Sequence, residues 1–223
     1  MTKKIVVFDI DGTLIKTDTL LISLRKIKRD RQLLKNLFLF SFIFIFWKFK
    51  FISDKRCKEF FLKIFKICEN VNKFKDDWLI EELINDLNPI AIKRLEWHKK
   101  NNDRIILCSA SPRLLLQPLA NKLDVELICT EVKHKKGNWF PKIISPNCKG
   151  IEKINRLAKY LGSLENLIIE AYGDSEGDKE LLEKANLPHY KNFSHIPRPY
   201  KDENYLKVKL TFLRNHLKRL LNI

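Results

Sequence analysis

Short apolar runs alternate along the chain with segments whose apolar positions repeat at helical spacing. The short runs predict buried strands at residues 4–8, 104–108, 126–130 and 167–172. The helical patterns between and after them cover residues 89–100, 113–123, 151–161 and 179–185. Strands that alternate with helices predict an α/β fold with a mostly parallel sheet covered on both faces.

The pattern changes between the first strand and the second. Residues 17–88 contain neither Pro nor Gly and are helical in pattern throughout, which predicts an all-helical insertion into a core made of residues 1–16 and 89–204. A hairpin is expected at residues 133–144, with its turn at Lys136-Gly137-Asn138. Leucines that share one helical face predict an amphipathic basic helix over residues 205–223.

The charge is concentrated in two of these segments. The chain has 43 Lys and Arg against 27 Asp and Glu, a formal net charge of +16. Residues 25–58 contain eleven basic and two acidic side chains, and residues 205–223 contain five basic side chains and no acid. Such segments favour anionic partners, which include phosphorylated metabolites, nucleic acid and an acidic membrane surface.

The most apolar stretch lies between basic clusters, at Leu37–Trp47. As a helix these residues would be about 17 Å long, which is too short to cross a bilayer core of about 30 Å. For residues 37–52 we prefer a helix that contacts an anionic membrane surface over one that packs on the protein body, because nearly its whole circumference is apolar. For the C-terminal helix, membrane contact and packing on the protein body both remain open.

The cysteines and the N-terminal residues favour a cytoplasmic protein. The five cysteines form no Cys-x-x-Cys pair, so neither a disulfide framework nor a zinc site is expected. Asp9 and Asp11 interrupt the first apolar run before it could serve as a signal peptide. The membrane interpretation would place the protein on the cytoplasmic face of a bacterial inner membrane.

Polar motifs follow three of the predicted strands: Asp9-Ile10-Asp11-Gly12-Thr13, Ser109-Ala110-Ser111 and residues 173–178. Ligands of such sheets bind at the carboxyl ends of the strands. Asp9 and Asp11 are two residues apart in an extended segment, so both would face one site, where Asp174 and Asp178 would join them. Carboxylates this close repel one another unless a cation lies among them, and hard oxygen ligands select Mg²⁺. Each motif alone would more often be an ordinary turn.

Four segments, FDIDGTL, LCSAS, NCKGIEK and AYGDSEGD, resemble the ordered motifs of the haloacid dehalogenase (HAD) superfamily. Longer segments around them, such as ILCSASPRLLLQPLA and NCKGIEKINRL, are similar to bacterial subfamily IB hydrolases. That branch includes phosphoserine phosphatases and phosphatidylglycerophosphatase C. The resemblance implies a Rossmann-like, doubly wound HAD core, with the helical insertion at residues 17–88 as its cap.

The resemblance also implies roles for the motif residues. Asp9 would be the nucleophile that forms an aspartyl-phosphate, and Asp11 would protonate the leaving alcohol and then activate water. Mg²⁺ would be bound by Asp9, the backbone carbonyl of Asp11 and Asp174, with support from Asp178. Ser109 and Lys153 would bind the phosphoryl oxygens. The expected substrate-binding residues are Gly12, Thr13, Ser109, Ala110 and Lys153.

The third motif contains two lysines. Lys153 is preferred as the phosphate-balancing residue, because a Gly-x-x-Lys sequence followed by a helix matches the more similar relatives. Lys149, directly before the glycine, is the alternative.

The leading functional hypothesis is a Mg²⁺-dependent phosphomonoester hydrolase whose substrate is a membrane lipid phosphate such as phosphatidylglycerophosphate. One alternative is a cytosolic phosphatase for phosphoserine or another small phosphometabolite. An alternative of a different class is a basic nucleic-acid-binding module, but the chain has no recognised motif of that kind, so no nucleic-acid partner is expected. The sequence leaves the oligomeric state open.

Overall fold

A computed structural model describes residues 4–25, 31–68, 77–135 and 138–200 of the 223-residue chain. The amphipathic helix predicted over residues 205–223 lies outside these ranges. So do two residues of the predicted hairpin turn and parts of the helical insertion, residues 26–30 and 69–76.

Seven strands are described: β1 Lys4–Phe8, β2 Arg104–Pro112, β3 Glu126–Thr130, β4 Val132–Lys135, β5 Asn138–Ile143, β6 Ile168–Gly173 and β7 Leu187–Tyr190. Five of them form a parallel sheet in the order β3-β2-β1-β6-β7. The strand order reverses on either side of β1, which is where ligands bind in sheets of this kind. The predicted α/β class with a parallel sheet is confirmed.

The described helices are α1 Thr19–Ile22, α2 Arg31–Lys48, α3 Asp54–Ile64, α4 Asp77–Asn85, α5 Pro89–Lys100, α6 Arg113–Lys122, α7 Ile151–Leu161 and α8 Lys179–Lys184. A single 3₁₀ turn, Glu176–Asp178, precedes α8. The bounds of α5, α6 and α7 agree with the sequence pattern to within one residue.

Alternation along β1 builds two apolar layers. Val6 and Phe8 belong to one buried cluster, together with side chains of α4, α5 and α6. Ile5 and Val7 belong to a second cluster, formed with α7 and α8. Because successive side chains of a strand point to opposite faces, both faces of the sheet are covered by helices.

Two strands differ from the sequence prediction. β2 was expected to end at Cys108, but it continues to Pro112 with a register shift against β3 after Ser109. β7 was not predicted, because its four residues include Pro188 and show no apolar alternation. β7 lies at the sheet edge, where β6 is its strand partner and a single bridge joins its other side to Arg198, so it tolerates a missing backbone donor at Pro188. The predicted hairpin is confirmed by the antiparallel pairing of β4 with β5.

The insertion after β1 contributes four of the described helices, α1 to α4. Phe61 of α3 and Leu79 and Leu83 of α4 belong to the same buried cluster as Val6 and Phe8. The helices therefore pack onto one face of the sheet. The division into a core and a cap at residues 17 and 88 stays a prediction.

Helix α2 has two different apolar sides. Its partly buried positions are residues 33, 36, 40, 43 and 47, which recur at spacings of three and four. Phe40 stacks edge-on against Phe61, with ring centroids 5.2 Å apart, and Trp47 Nε1 donates to Asp54 Oδ1 at 2.8 Å. The remaining positions of α2 are exposed. Among the described residues, no helix is both long and apolar enough to cross a membrane.

Candidate active site

A cavity of about 480 Å³ opens at the carboxyl ends of β1, β2 and β6. Its floor is polar and is formed by the loops that follow these strands. The helical insertion forms the wall, with charged side chains at Asp18, Asp54 and Lys58 and an apolar part at Leu20, Leu21, Phe40, Phe44, Trp47 and Phe61. The cavity therefore combines a charged floor with an aromatic rim.

A buried lysine joins two carboxylates on the cavity floor. Lys153 Nζ donates to Asp9 Oδ1 at 2.5 Å and to Asp178 Oδ1 at 2.6 Å. The three residues are 2%, 6% and 0% exposed. Asp9 directly follows β1, and Lys153 lies in the first turn of α7, so the fold brings together residues that are 144 positions apart.

The charges of these residues depend on one another. Burial alone would lower the pKa of Lys153, but the nearby charges of Asp9 and Asp178 raise it well above its ordinary value. Burial raises the pKa of Asp9, Lys153 opposes this rise, and the charges of Asp178 and Asp11 add to it. Lys153 is thus held as a cation, and it neutralises only part of the negative charge around Asp9.

Asp178 is held by the turn that contains it. Its Oδ2 accepts hydrogen bonds from the backbone N of Asp174 and Ser175 and from the Ser175 hydroxyl, at 3.2, 3.1 and 2.8 Å. Ser175 and Asp178 form a reciprocal capping box at the 3₁₀ turn. A side chain at Gly173 would collide with Asp178, whose Cβ would lie 2.6 Å from the added carbon. The backbone and side-chain donors of the GDSEGD segment therefore hold the Asp178 carboxylate beside Lys153.

The acids on the floor suit a divalent cation. Carboxylate oxygens of Asp9, Asp174 and Asp178 lie within 4.8 Å of one another. Burial raises the pKa of Asp174, and the charge of Asp178 raises it further. A bound cation would relieve this repulsion, and a set of hard oxygen ligands fits Mg²⁺.

Gly12 makes room for this acidic cluster. Its φ of +81° is a conformation that side-chain-bearing residues rarely adopt, and an added Cβ would lie 2.4 Å from Asp174 Oδ2. The Thr13 hydroxyl donates to Asp174 Oδ1 at 3.4 Å, and Thr13 is 2% exposed. Gly12 and Thr13 thus position Asp174, and neither lines the cavity.

Asp11 lines the cavity, but its carboxylate is not one of the three that lie within 4.8 Å of one another. Its Oδ1 accepts from the backbone N of Thr19 at 2.7 Å and from the Thr19 hydroxyl. Its Oδ2 accepts from the Ser111 and Ser109 hydroxyls at 2.6 and 3.2 Å. Four donors therefore fix the orientation of Asp11.

The three small residues at the end of β2 differ in whether they line the cavity. Ser109 is fully buried, whereas Ala110 and Ser111 line the cavity. The Ser109 hydroxyl donates to Asp11 and accepts from the backbone N of Ser111 at 3.0 Å. Sequence reasoning named Ser109 and did not assign a role to Ser111. A phosphate role for Ser109 stays a prediction.

Lys149 occupies the rim of the site. Its side chain is 49% exposed, and Nζ lies 3.8 Å from Asp54 Oδ2. Lys153, in contrast, contacts Asp9 directly. Of these two lysines, Lys153 is therefore the one beside Asp9, and its role as the phosphate-balancing residue stays a prediction.

Lys58 of α3 reaches into the site and was missed by sequence reasoning. Its Nζ donates to the Ala110 carbonyl and to Asn147 Oδ1, both at 2.7 Å. Burial lowers its pKa, although the charges of Asp11, Asp18 and Asp54 oppose the change. The signal available in the sequence was helical spacing, since Asp54, Lys58 and Phe61 share one face of α3. That spacing does not say what the face contacts.

A sequence profile of the haloacid dehalogenase-like hydrolases matches residues 6–183. The chain belongs to this family. The match begins in β1 and ends in α8, so it includes every site residue described above. This family hydrolase is also similar in part to the protein CicA of Caulobacter vibrioides, with 28% identity over 113 residues. The matched region is 50% of this chain and 50% of CicA, so the chain spans about half the length of the curated relatives it matches.

Two solved structures share the fold. A protein of unknown function from Bordetella pertussis Tohama I is 18% identical and superposes with a TM-score of 0.72, covering 84% of this chain and 89% of that one. A phosphoserine phosphohydrolase-like protein from Francisella tularensis subsp. tularensis SCHU S4 is 23% identical, with a TM-score of 0.55 and coverage of 81% and 82%. At these identities the likeness establishes the fold alone.

Proposed function

We propose that this HAD-family hydrolase is a Mg²⁺-dependent phosphomonoester phosphatase that works through an aspartyl-phosphate on Asp9. The observation that carries the proposal is the contact of Asp9 with Lys153 on the floor of an open cavity. A carboxylate held beside a buried cation, with further acids able to hold a metal, is suited to receive a phosphoryl group.

In the first step, a carboxylate oxygen of Asp9 attacks phosphorus in line with the ester oxygen. The new bond joins Asp9 to phosphorus, and the bond from phosphorus to the ester oxygen breaks. Asp11 gives a proton to the departing alkoxide, which leaves as the alcohol. The hydrogen bonds from Thr19 and Ser111 hold Asp11 at the cavity for this transfer.

In the second step, Asp11 accepts a proton from a water molecule that attacks phosphorus. The bond from phosphorus to Asp9 breaks, so inorganic phosphate leaves and Asp9 is restored. Asp11 ends the cycle protonated, as it began. One carboxyl group therefore serves as acid and then as base.

The remaining motif residues bind and orient. Lys153 balances charge on the transferred group, and Ala110 lines the phosphate pocket. Ser109 supports the pocket through Asp11, and Gly12 and Thr13 support it through Asp174. Asp9, the Asp11 carbonyl and Asp174 would hold Mg²⁺, with Asp178 in support; the bound ion would supply charge neutralisation at the phosphoryl oxygens.

A membrane lipid phosphate, such as phosphatidylglycerophosphate, is the proposed substrate. Support comes from Phe40, Phe44 and Trp47 of α2, which line the same cavity as the charged residues of the floor. An apolar leaving group would gain from this surface. The sequence resemblance to subfamily IB and to phosphatidylglycerophosphatase C points the same way. A lipid substrate would require peripheral contact with an anionic membrane, on the cytoplasmic face in a bacterium.

Phosphoserine, or another small charged phosphometabolite, is the second candidate. Lys58 lies in the cavity close to two acids, Asp18 and Asp54. Groups of both signs could bind the carboxylate and the ammonium of a zwitterionic leaving group. The fold shared with the phosphoserine phosphohydrolase-like protein agrees with this candidate.

A substrate panel tests the function and separates the two candidates. Purified protein is assayed with detergent-dispersed phosphatidylglycerophosphate, phosphoserine and p-nitrophenyl phosphate, with Mg²⁺ or with a chelator. We expect phosphate release that needs Mg²⁺ and a higher kcat/KM for the lipid. A higher kcat/KM for phosphoserine would select the second candidate. Release of no phosphate from any ester would contradict a phosphatase.

A further inference from the structure

The outer face of α2 consists of Leu34, Leu37, Phe38, Leu39, Phe42, Ile45 and Phe46. Each of these side chains is between 43% and 67% exposed. Proteins that act alone in water rarely expose an apolar surface this continuous, and such surfaces mark contact sites.

The packing of α2 on the rest of the protein does not use this face. Phe40 packs against Phe61 and Phe65, and the Asn36 side chain donates to the Ile64 carbonyl at 3.0 Å. These contacts lie on the opposite side of the helix. The outer face therefore has to be explained by something other than the described fold.

The charged groups carried by α2 and by the residues that follow it up to position 53 all have one sign. Arg31 and Lys35 are exposed near the start of α2, and Lys48 and Lys50 are exposed at its end. Residues 31–53 contain no acid. An apolar helix about 27 Å long thus has basic groups at both ends and none in its middle.

This charge pattern decides between the possible occupants. In a symmetric pair of chains joined through α2, basic ends would lie against basic ends. The C-terminal segment 205–223 also contains five basic side chains and no acid, so it would add positive charge. An anionic lipid surface offers both an apolar layer and neutralising headgroups.

We infer that the outer face of α2 docks on an anionic lipid bilayer, with its aromatic side chains among the headgroups and acyl ends. Arg31, Lys35 and Lys48 contact the lipid phosphates. The surface is continuous with the cavity wall, because Phe44 is 48% exposed and also lines the cavity. Only one consequence of this inference rests on the proposed function, namely that the catalytic cavity opens towards the lipid.

Flotation of the full chain with vesicles tests the docking surface without turnover. The vesicles contain phosphatidylcholine alone or phosphatidylcholine with phosphatidylglycerol, in buffer with chelator. We expect binding that requires phosphatidylglycerol. The triple variant Phe38→Ser, Phe42→Ser and Ile45→Ser should lose at least about tenfold in binding. Its control, Ile90→Ser, Ile144→Ser and Ile196→Ser, changes three exposed apolar side chains elsewhere and should bind as the wild type does.

Reversing the charges of the basic residues on α2 gives a second test of the docking surface. Arg31→Glu, Lys35→Glu and Lys48→Glu together should weaken binding by about a hundredfold or more. Lys93→Glu, Lys122→Glu and Lys159→Glu make the same change in net charge at exposed positions away from α2. That control should retain most of the binding.

Several results would overturn the inference. Equal vesicle binding by the α2 variants and their controls would show that the outer face of α2 is not the docking surface. Loss of binding only when Leu210, Leu213 and Leu217 become Ser would assign membrane contact to the C-terminal segment. A wild-type dimer that the Phe38, Phe42 and Ile45 changes make monomeric would assign the face to a second copy. Absence of p-nitrophenyl phosphate hydrolysis with intact vesicle binding would count against the phosphatase alone.

Discussion

The cavity floor buries charged side chains, whereas the outer face of α2 exposes large apolar ones, and both arrangements are unusual in proteins. On the floor, Lys153 and Asp178 are charged groups that are 2% and 0% exposed. On α2, Phe38 and Phe42 are 66% and 48% exposed. Buried charges cost stability unless they are paired, and a continuous exposed apolar surface marks a contact site. We propose a binding function for each of these two regions, and each region should respond to mutation in its own way.

The largest expected effect is on the cavity floor, at the proposed nucleophile. Asp9→Asn keeps the shape of the side chain but removes the attacking carboxylate, so phosphate release should fall by about four orders of magnitude or more. Circular dichroism and thermal unfolding should show an intact fold. The exposed control Glu165→Gln should keep full activity. Wild-type turnover in Asp9→Asn would mean that the nucleophile is misassigned.

A second change tests which lysine belongs to the floor. Lys153→Met should lower kcat by about 10²- to 10³-fold. It should also reduce the free energy of unfolding by about 3 to 5 kcal/mol, because Asp9 and Asp178 lose their buried partner. Lys149→Met is the matched control and should have small effects on both, since that side chain is half exposed. The reverse ranking in kinetics and denaturant unfolding would make Lys149 the phosphate-balancing residue.

A smaller effect is expected at the proposed metal site. Asp174→Asn should raise the Mg²⁺ concentration needed for half-maximal activity by about tenfold or more, because one charged ligand becomes neutral. Titration of activity with Mg²⁺ measures this. The Glu165→Gln control should titrate as the wild type does, and an unchanged Mg²⁺ requirement in Asp174→Asn would remove this residue from the metal site.

The smallest effect is expected on the outer face of α2. Each single change, Phe38→Ser or Phe42→Ser, should alter the free energy of unfolding by less than about 0.5 kcal/mol, because the side chains are exposed. Leu83→Ala, on the buried side of α4, should cost about 2 to 5 kcal/mol. Denaturant titration compares them. A loss in Phe38→Ser as large as in Leu83→Ala would show that the fold covers this face.

Local patterns made the arrangement of the core predictable. Strand-length apolar runs and helical spacing indicated β1, β3, β6 and the helices between them, because both periodicities depend only on neighbouring residues. The short edge strand β7 was missed for the same reason, since it contains Pro188 and has little pattern of its own. The end of β2 was drawn too short because Ser109-Ala110-Ser111 is typical of a loop, whereas its pairing with β3 continues the strand.

The candidate site was predictable as a set of residues and unpredictable as a set of contacts. Asp9, Asp11, Asp174 and Asp178 were named from motifs at strand ends. The motifs did not indicate that Ser111 holds Asp11, or that Lys58 crosses from the insertion to the Ala110 carbonyl. Such contacts depend on how α3 packs over the sheet, and that orientation leaves no local pattern.

The sequence by itself determined the fold class, the acids of the site and the apolar, basic character of α2, because composition and periodicity are local properties of the chain. Tertiary structure alone decided which groups meet and which stay exposed. Lys153 contacts Asp9, which is 144 residues away in the sequence. Only one narrow stripe of α2 side chains packs against the rest of the protein. Contact and burial depend on what packs against a side chain, and the chain acquires both only when it folds.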